Sequence, residues 1–169
     1  MTPHIVYHEP SGFLLTWRTY GTWLPGDRRG WTKTGKGHQL PNANLESYVK
    51  RIMNYPPRRL NSRHRQVVCQ TIQAYSLFKG WKCNAVTCQS NHVHVALRAS
   101  GDPKKTIGML KIRCTRELRK GGLVGPVWAK RGNVAFLRTS RAYRNAVLYV
   151  VNHELAWLVD ETPLTEILL

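Results

Sequence analysis

Acidic residues are scarce in this chain of 169 amino acids. Nine Asp and Glu residues stand against 26 Lys and Arg, which gives a formal net charge of +17 and a pI near 10.4. A surface of this kind binds phosphate backbones by releasing counterions, and its affinity falls steeply with salt. Because the cations are spread along the chain, we expect a folded, basic groove for nucleic acid. Association with ribosomes or acidic membranes would use the same charge.

Long apolar runs are also missing. No stretch of about 18 apolar residues occurs, so a transmembrane helix is not expected, and residues 1–9 lack the apolar core of a signal peptide. We therefore expect a cytoplasmic protein that does not bind a membrane. The length and a hydrophobic content of 42% predict a single domain over residues 1–169.

Cysteines are few and show no Cys-x-x-Cys spacing, which argues against a zinc knuckle or a disulfide framework. All four lie in segments that read as buried. We predict that they are small core residues: Cys69, Cys83, Cys88 and Cys114.

The hydrophobic pattern predicts the order strand, helix, strand, strand, helix, strand, helix. The predicted strands are residues 12–20, 81–88, 92–99 and a last strand in two pieces, 127–129 and 133–137. The predicted helices are residues 62–79, 102–120 and about 140–159. This order indicates an α+β fold, with an antiparallel sheet and helices packed on one face.

A long basic loop is expected at about residues 24–60, because periodicity is weak there and Pro56-Pro57 breaks regular structure. A short helix over residues 45–54 fits inside it. Loops of this length are usually functional.

The tripeptide His92-Val93-His94 is the most informative motif. Residues two apart in a strand point to the same face, so the two imidazoles stand side by side, as two ligands of one divalent metal ion would. Alone, such a pair is a weak signal, since ordinary strand histidines occur at the same spacing.

Two residues near the end of the chain strengthen the metal hypothesis. Tyr149 and His153 are four apart and would lie on one face of the last predicted helix. A metal ion held by three imidazoles would stabilise charge during phosphoryl transfer, with the phenol as the nucleophile. Tyr143 is six residues from Tyr149 and faces elsewhere, so we assign it to packing or to a DNA contact.

Four motifs together resemble one family. They are NHVH at residues 91–94, LTWRTYGTWLPGD at residues 15–27, VWAKRG at residues 127–132 and YVVN at residues 149–152. They look like the REP-associated tyrosine transposases, within the single-tyrosine His-hydrophobic-His (HUH) transposases. The resemblance spans residues 12–154, with the motifs in the family's order.

The resemblance implies a ferredoxin-like sheet, Mg²⁺ or Mn²⁺ on His92 and His94, and Tyr149 as the nucleophile. It implies cleavage of single-stranded DNA to a 5′-phosphotyrosine and a free 3′-hydroxyl, beside imperfect hairpins of repetitive extragenic palindromes. It also implies a bacterial, nucleoid-associated protein, more often a monomer than a dimer, with no small-molecule cofactor. Relatives use a Gln or Asn soon after the tyrosine as third ligand. Here the position four beyond Tyr149 is His153, which we favour over Asn152 and Glu154.

Candidate DNA contacts are the basic residues of the long loop, of the start of the helix from residue 62, of the helix from residue 102 and of residues 130–131, with Trp31 for base stacking. A solvated helix face would carry the same charges. The candidates are Arg28, Arg29, Trp31, Lys33, Arg58, Arg59, Arg63, Arg65, Lys104, Lys105, Lys111, Arg113, Lys130 and Arg131.

Three other functions fit parts of this pattern. A non-catalytic, domesticated hairpin-binding protein would keep the basic surface and could lose the metal site. A two-histidine RNA phosphodiesterase needs a second His-x-Thr or His-x-Ser motif, which the chain lacks. A rolling-circle replication initiator usually has a longer chain or a helicase domain.

Overall fold

The chain forms seven strands and four helices in the part that the structure, a computed structural model, describes: residues 12–153 and 156–158. The strands are β1 (Gly12–Thr19), β2 (Trp31–Lys33), β3 (Gly37–Gln39), β4 (Lys82–Cys88), β5 (His92–Arg98), β6 (Trp128–Leu137) and β7 (Ala156–Leu158). The helices are α1 (Ala43–Ile52), α2 (Ser62–Phe78), α3 (Pro103–Lys120) and α4 (Ser140–Val151).

Five strands form the main sheet in the order β6-β1-β5-β4-β7, and every neighbouring pair is antiparallel. The run β1-α2-β4-β5-α3-β6 has the ferredoxin-like β-α-β-β-α-β order, in which the two central strands come from the two halves. The predicted α+β class and antiparallel sheet are confirmed. No helix among the described residues is long and apolar enough to cross a membrane.

Alternation along β1 separates the two faces of the sheet. Leu15 and Trp17 are buried against α2 and α3, together with the aliphatic residues of β5. Thr16 and Arg18 point to the opposite face, because successive strand side chains alternate. All four cysteines are free and buried, as predicted, and they lie on the side of α2 and α3.

Helix α4 lies on the other face of the sheet, so the prediction of helices on one face is wrong for this element. Its buried residues Tyr143, Val147 and Val150 follow helical spacing and pack on Ala85 and Ala96. These two alanines let the helix approach the sheet closely. The apolar stripe of α4 is visible in the sequence, but the stripe does not say which face of the sheet it covers.

The last helix is also shorter than predicted. It ends at Val151 rather than near residue 159, and the backbone N–H of the C-cap Asn152 donates to the Leu148 carbonyl. Strand β7 follows and pairs with β4, with Ala85 opposite Leu158. An apolar run suits either a longer helix or a strand, and here it supplies hydrogen bonds to a sheet edge.

The segment predicted as a long loop contains β2, β3 and α1. Strands β2 and β3 form a separate two-stranded sheet. Helix α1 begins after Asn42, whose side chain accepts a hydrogen bond from the Leu45 N–H, and none of its residues is buried. The helix starts two residues earlier than predicted. Likewise the two predicted strand pieces at 127–129 and 133–137 are one strand, β6, with a bulge opposite Arg18.

Candidate active site

Strand pairing sets the first half of the candidate site. In the register of β1 and β5, Thr16 lies opposite His94 and Arg18 lies opposite His92. All four side chains are on the face that α4 covers. The imidazole rings of His92 and His94 have centroids 4.8 Å apart, so the prediction that the two rings stand side by side is confirmed.

Helix α4 supplies the second half. The ring centroid of Tyr149 lies 5.3 Å from that of His94 and 4.7 Å from that of His153. The His153 centroid lies 5.1 Å from His94 and 6.1 Å from His92. His153 stands just beyond the helix, and its N–H donates to the Val150 carbonyl at 3.2 Å. The four rings therefore form one cluster, although His153 is not a helical residue.

Hydrogen bonds orient the two strand imidazoles. Nδ1 of His92 lies 2.7 Å from the side-chain oxygen of Asn91, and Nδ1 of His94 lies 2.8 Å from the hydroxyl of Thr16. The Asn91 oxygen accepts, so Nδ1 of His92 carries the proton and Nε2 keeps its lone pair. A partner on one ring nitrogen commonly fixes which nitrogen a metal ion takes.

The electrostatic surroundings keep both strand histidines neutral. Burial lowers the pKa of His92 from 6.5 to about 4, and the nearby Arg18 and His153 act in the same direction. Burial also lowers the pKa of His94 to about 4, with smaller effects of His92, His153 and Arg18. A neutral imidazole has the free lone pair that metal coordination requires.

The donor chemistry of the cluster fits a divalent metal ion. Nε2 of His153 is buried and has no hydrogen-bond partner among residues 12–153, a state that is unfavourable unless a ligand satisfies the atom. Within the same residues, no group of three or more His, Cys, Asp or Glu is placed so that it could hold a metal ion as it stands, so three imidazoles could bind one ion only after their side chains adjust. His92 and His94 are thus the best-oriented donors, and His153 is the neighbouring one. Asn152 is an exposed C-cap, and Glu154 lies outside the described residues.

The two tyrosines of α4 differ in exposure. Tyr143 is 1% exposed, and its hydroxyl donates to the side-chain oxygen of Asn84 at 2.7 Å. The guanidinium of Arg98 lies over its ring. Tyr149 is 49% exposed beside the histidines. The assignment of Tyr143 to packing is confirmed, and Tyr149 is the tyrosine that an incoming substrate can reach.

Several candidate DNA contacts are already engaged in the fold. Arg29 forms an ion pair with the buried Asp27. The partly buried Lys111 donates hydrogen bonds to the backbone carbonyls of Ala129 and Arg131 in β6. Burial lowers the pKa of Lys111 to about 8. Arg58 donates to the carbonyls of Val124 and Pro126. Their first role is therefore structural.

Other candidates lie either at the opposite end of β5 from His92 or on the opposite face of the sheet. Lys104 and Lys105 begin α3, beyond the Arg98 end of β5, and the seven residues of that strand span about 20 Å. Arg63 and Arg113 line a cavity of about 870 Å³ on the side of α2 and α3, and Arg113 also lies over the Tyr75 ring. On the same side, Arg65 has its Nε buried without a partner among residues 12–153.

A third group remains exposed near the histidine end of the sheet. Arg59 reaches the Ser90 hydroxyl, in the turn that precedes His92. Lys130 and Arg131 lie in the β6 bulge, where Arg131 donates to the Thr34 hydroxyl.

The long-loop segment carries the rest of the candidates. Arg28 and Lys33 are exposed. Trp31 is half-buried, and its indole N–H donates to the Leu40 carbonyl at 3.2 Å. This hydrogen bond holds one edge of the indole ring in place.

Sequence reasoning missed Arg18. This residue stands in the most strand-like segment of the chain, and its proximity to His92 depends on the pairing of β1 with β5, which are more than seventy residues apart. The sequence does contain one signal for Arg18: polar and apolar side chains alternate over Thr16, Trp17 and Arg18, which places Arg18 on the polar face of β1.

Comparisons with known proteins give one distant similarity. No protein-family model matches the chain, and no curated protein matches it. A solved structure of a REP-associated tyrosine transposase bound to a REP hairpin is similar over 90% of this chain and 72% of its own length, with 15% identity and a TM-score of 0.48.

Proposed function

We propose that this protein is a metal-dependent single-stranded DNA endonuclease and strand transferase of the transposase type. It would bind hairpin DNA and cut beside it through a 5′-phosphotyrosine intermediate. The observation that carries the proposal is the cluster of His92, His94, His153 and the exposed Tyr149, in which each ring centroid lies 4.7–6.1 Å from at least two of the others.

Tyr149 has the role of nucleophile. Its phenol oxygen attacks the phosphorus of a phosphodiester, the bond from phosphorus to the 3′ oxygen breaks, and the phosphotyrosine ester forms. The phenol proton is released to solvent, and the leaving oxygen takes up a proton as a 3′-hydroxyl. Attack by a 3′-hydroxyl on this ester rejoins DNA without ATP, because the ester conserves the phosphodiester bond energy.

His92 and His94 have the role of metal ligands, with His153 as the third. A bound divalent ion supplies charge neutralisation on the phosphoryl oxygens. Asn91 and Thr16 orient the strand imidazoles from behind, as outer partners of metal-bound histidines commonly do. Between Mg²⁺ and Mn²⁺ we propose Mn²⁺ as the tighter binder, because imidazole nitrogen is a poor ligand for the harder Mg²⁺.

The test is covalent capture of a labelled single-stranded oligonucleotide that carries a hairpin. We expect wild-type protein with Mn²⁺ to form an adduct that survives denaturing gel electrophoresis. Tyr149→Phe should reduce adduct formation by at least about a thousandfold, since the nucleophilic oxygen is lost. Its affinity for the hairpin should stay within about twofold. Tyr20→Phe is the matched control, because this change removes a phenol oxygen from a half-buried tyrosine of the loop that follows β1.

Chelation tests the metal ligands separately. EDTA, or His92→Ala in the presence of Mn²⁺, should abolish the adduct while hairpin binding persists. Adduct formation by Tyr149→Phe, or by the wild type in EDTA, would contradict the assigned roles. Hairpin binding without any adduct from the wild type would favour a non-catalytic, hairpin-binding protein instead.

A further inference from the structure

We propose that Arg18 binds a phosphate of single-stranded DNA at the histidine cluster, and that Trp23 holds its guanidinium in place. This inference deepens the proposed function and depends on it for the identity of the ligand. Arg18 lies opposite His92 on the face that also carries His94. A phosphodiester reaching the two imidazoles would therefore meet this side chain.

The Arg18 guanidinium is free to take an anion. Among residues 12–153 it makes no hydrogen bond and no ion pair, although it is half-buried. Its central carbon lies 4.5 Å from the centroid of the Trp23 ring. Stacking on an aromatic face leaves the in-plane N–H groups of a guanidinium available, and those groups match two phosphate oxygens.

The loop after β1 fixes the aromatic platform. The indole N–H of Trp23 donates to the Gly30 carbonyl at 2.7 Å. The Asp27 carboxylate accepts from Nε and Nη2 of Arg29, at 2.8 and 2.6 Å, and Arg29 Nη2 also donates to the Thr22 carbonyl. Asp27 is 6% exposed, and the Arg29 hydrogen bonds lower its pKa to about 2. The hydrogen bonds of this acid go to Arg29, and it attracts Arg18 only through space, so the N–H groups of Arg18 stay available for a ligand.

Arg18 is not isolated from other cations. The β6 bulge with Lys130 and Arg131 lies across from it, and Arg59 lies at the turn before His92. These exposed groups would draw the strand toward the cluster. The half-buried Arg18 is the one beside the reacting phosphate.

Salt dependence of binding isolates one phosphate contact. We would measure the affinity of Tyr149→Phe protein for a fluorescent 12-nucleotide single strand at several salt concentrations. Each phosphate contact adds about 0.7 to the slope of log affinity against log salt for single strands. Arg18→Gln in that background should lower the slope by about 0.7 and the affinity by about tenfold. Arg18→Lys should keep the slope and lose about threefold in affinity, because the charge stays and the planar fork is lost.

Three further variants test the aromatic platform and the specificity of the effect. Trp23→Ala should weaken binding by about threefold, whereas Trp23→Phe should keep wild-type affinity. Arg141→Gln is the charge-matched control, since Arg141 is exposed in the first turn of α4, about 12 Å along the helix from Tyr149. It should leave the slope within 0.2 of the parent value. Thermal unfolding would verify that each variant is folded.

The outcomes separate this inference from the proposed function. An unchanged slope for folded Arg18→Gln, or an equal loss for Arg141→Gln, would overturn the phosphate assignment even if the wild type cuts DNA. A slope lowered by Arg18→Gln, together with a wild-type protein that forms no adduct, would support the phosphate site and count against the nuclease.

Discussion

Two imidazoles held neutral beside an arginine make the fold sensitive to acid. His92 and His94 have pKa values of about 4 in the folded chain, against about 6.5 for an ordinary histidine. Between these values the unfolded chain binds more protons than the folded one, so folding stability rises with pH across this window. The stability is fully present above pH 6.5 and is lost as the pH falls through about 4.

We therefore expect the Tm of the wild type, measured in EDTA, to fall as the pH is lowered from 7 to 4.5. The double variant His92→Gln, His94→Gln should show a clearly smaller fall, because it lacks both titrating groups. His38→Gln, which changes an exposed histidine of β3, should behave as the wild type. Equal falls in all three proteins would contradict the assignment of the effect to these histidines.

Among the residues of the candidate site, those that could be predicted from the sequence are the ones whose spacing along a single strand or helix places them on one face. His92 and His94 were accessible through strand alternation, and Tyr149 through its spacing from His153. The four-residue spacing still brings Tyr149 and His153 together, although His153 follows the end of α4. Arg18 was not found, because a cross-strand neighbour depends on the register of two distant segments. The roles of these residues stay predictions.

The contact between β1 and α4 holds α4, the helix that carries Tyr149, against the sheet. At Gly12, an added Cβ would collide with the ring of Tyr143 and lie 2.9 Å from the Leu97 carbonyl oxygen. Tyr143 is 1% exposed, so its ring has little room to retreat. The glycine is needed here for space.

Gly12→Ala should therefore destabilise the fold by about 1–3 kcal/mol, as overpacking of a filled core does. For a chain of this size that corresponds to a fall in Tm of roughly 3–10 °C. Gly108→Ala, in α3, is the matched control: nothing lies within 4 Å of its added Cβ. It should leave the Tm unchanged or raise it, since alanine is favoured over glycine in a helix by about 1 kcal/mol. Gly12→Ala with wild-type Tm would refute the close packing of α4.

Elements were predicted well where one pattern dominates and poorly where two patterns compete. The ferredoxin-like strands and helices α2 and α3 have clear hydrophobic periodicity and clear start and stop residues, such as the N-cap Asp102 and the following Pro103 at the start of α3. The residues after Val151 suit either helix or strand, and pairing with β4 decides between them. The side of the sheet that α4 covers is likewise a property of the assembled sheet.

Across the whole molecule, positive charge greatly exceeds what the fold neutralises. Three ion pairs join described residues to one another: Arg29 to Asp27, Lys50 to Glu46, and Lys120 to Glu117. Most of the 26 Lys and Arg residues are therefore balanced by mobile counterions. Release of these ions is the expected driving force for binding DNA.

We expect affinity for a single-stranded hairpin to fall steeply with salt. Even four phosphate contacts give a slope near −2.8, which is a loss of roughly fiftyfold between 50 and 200 mM salt. A fluorescence titration at four salt concentrations measures this slope, and an uncharged peptide nucleic acid of the same sequence serves as the control ligand. An affinity independent of salt would exclude a phosphate-dominated interface.

Strand β6 ends the main sheet on the side away from β7, so within the described residues one long row of backbone donors and acceptors has no strand beside it. Lys130 and Arg131 stand in this row. Two copies of the chain that tried to join edge to edge would bring these like charges together, and such repulsion is a known protection against sheet extension. Polyanions that mask those charges would weaken the protection, so the groups proposed to attract nucleic acid would also keep the molecules apart while it is absent.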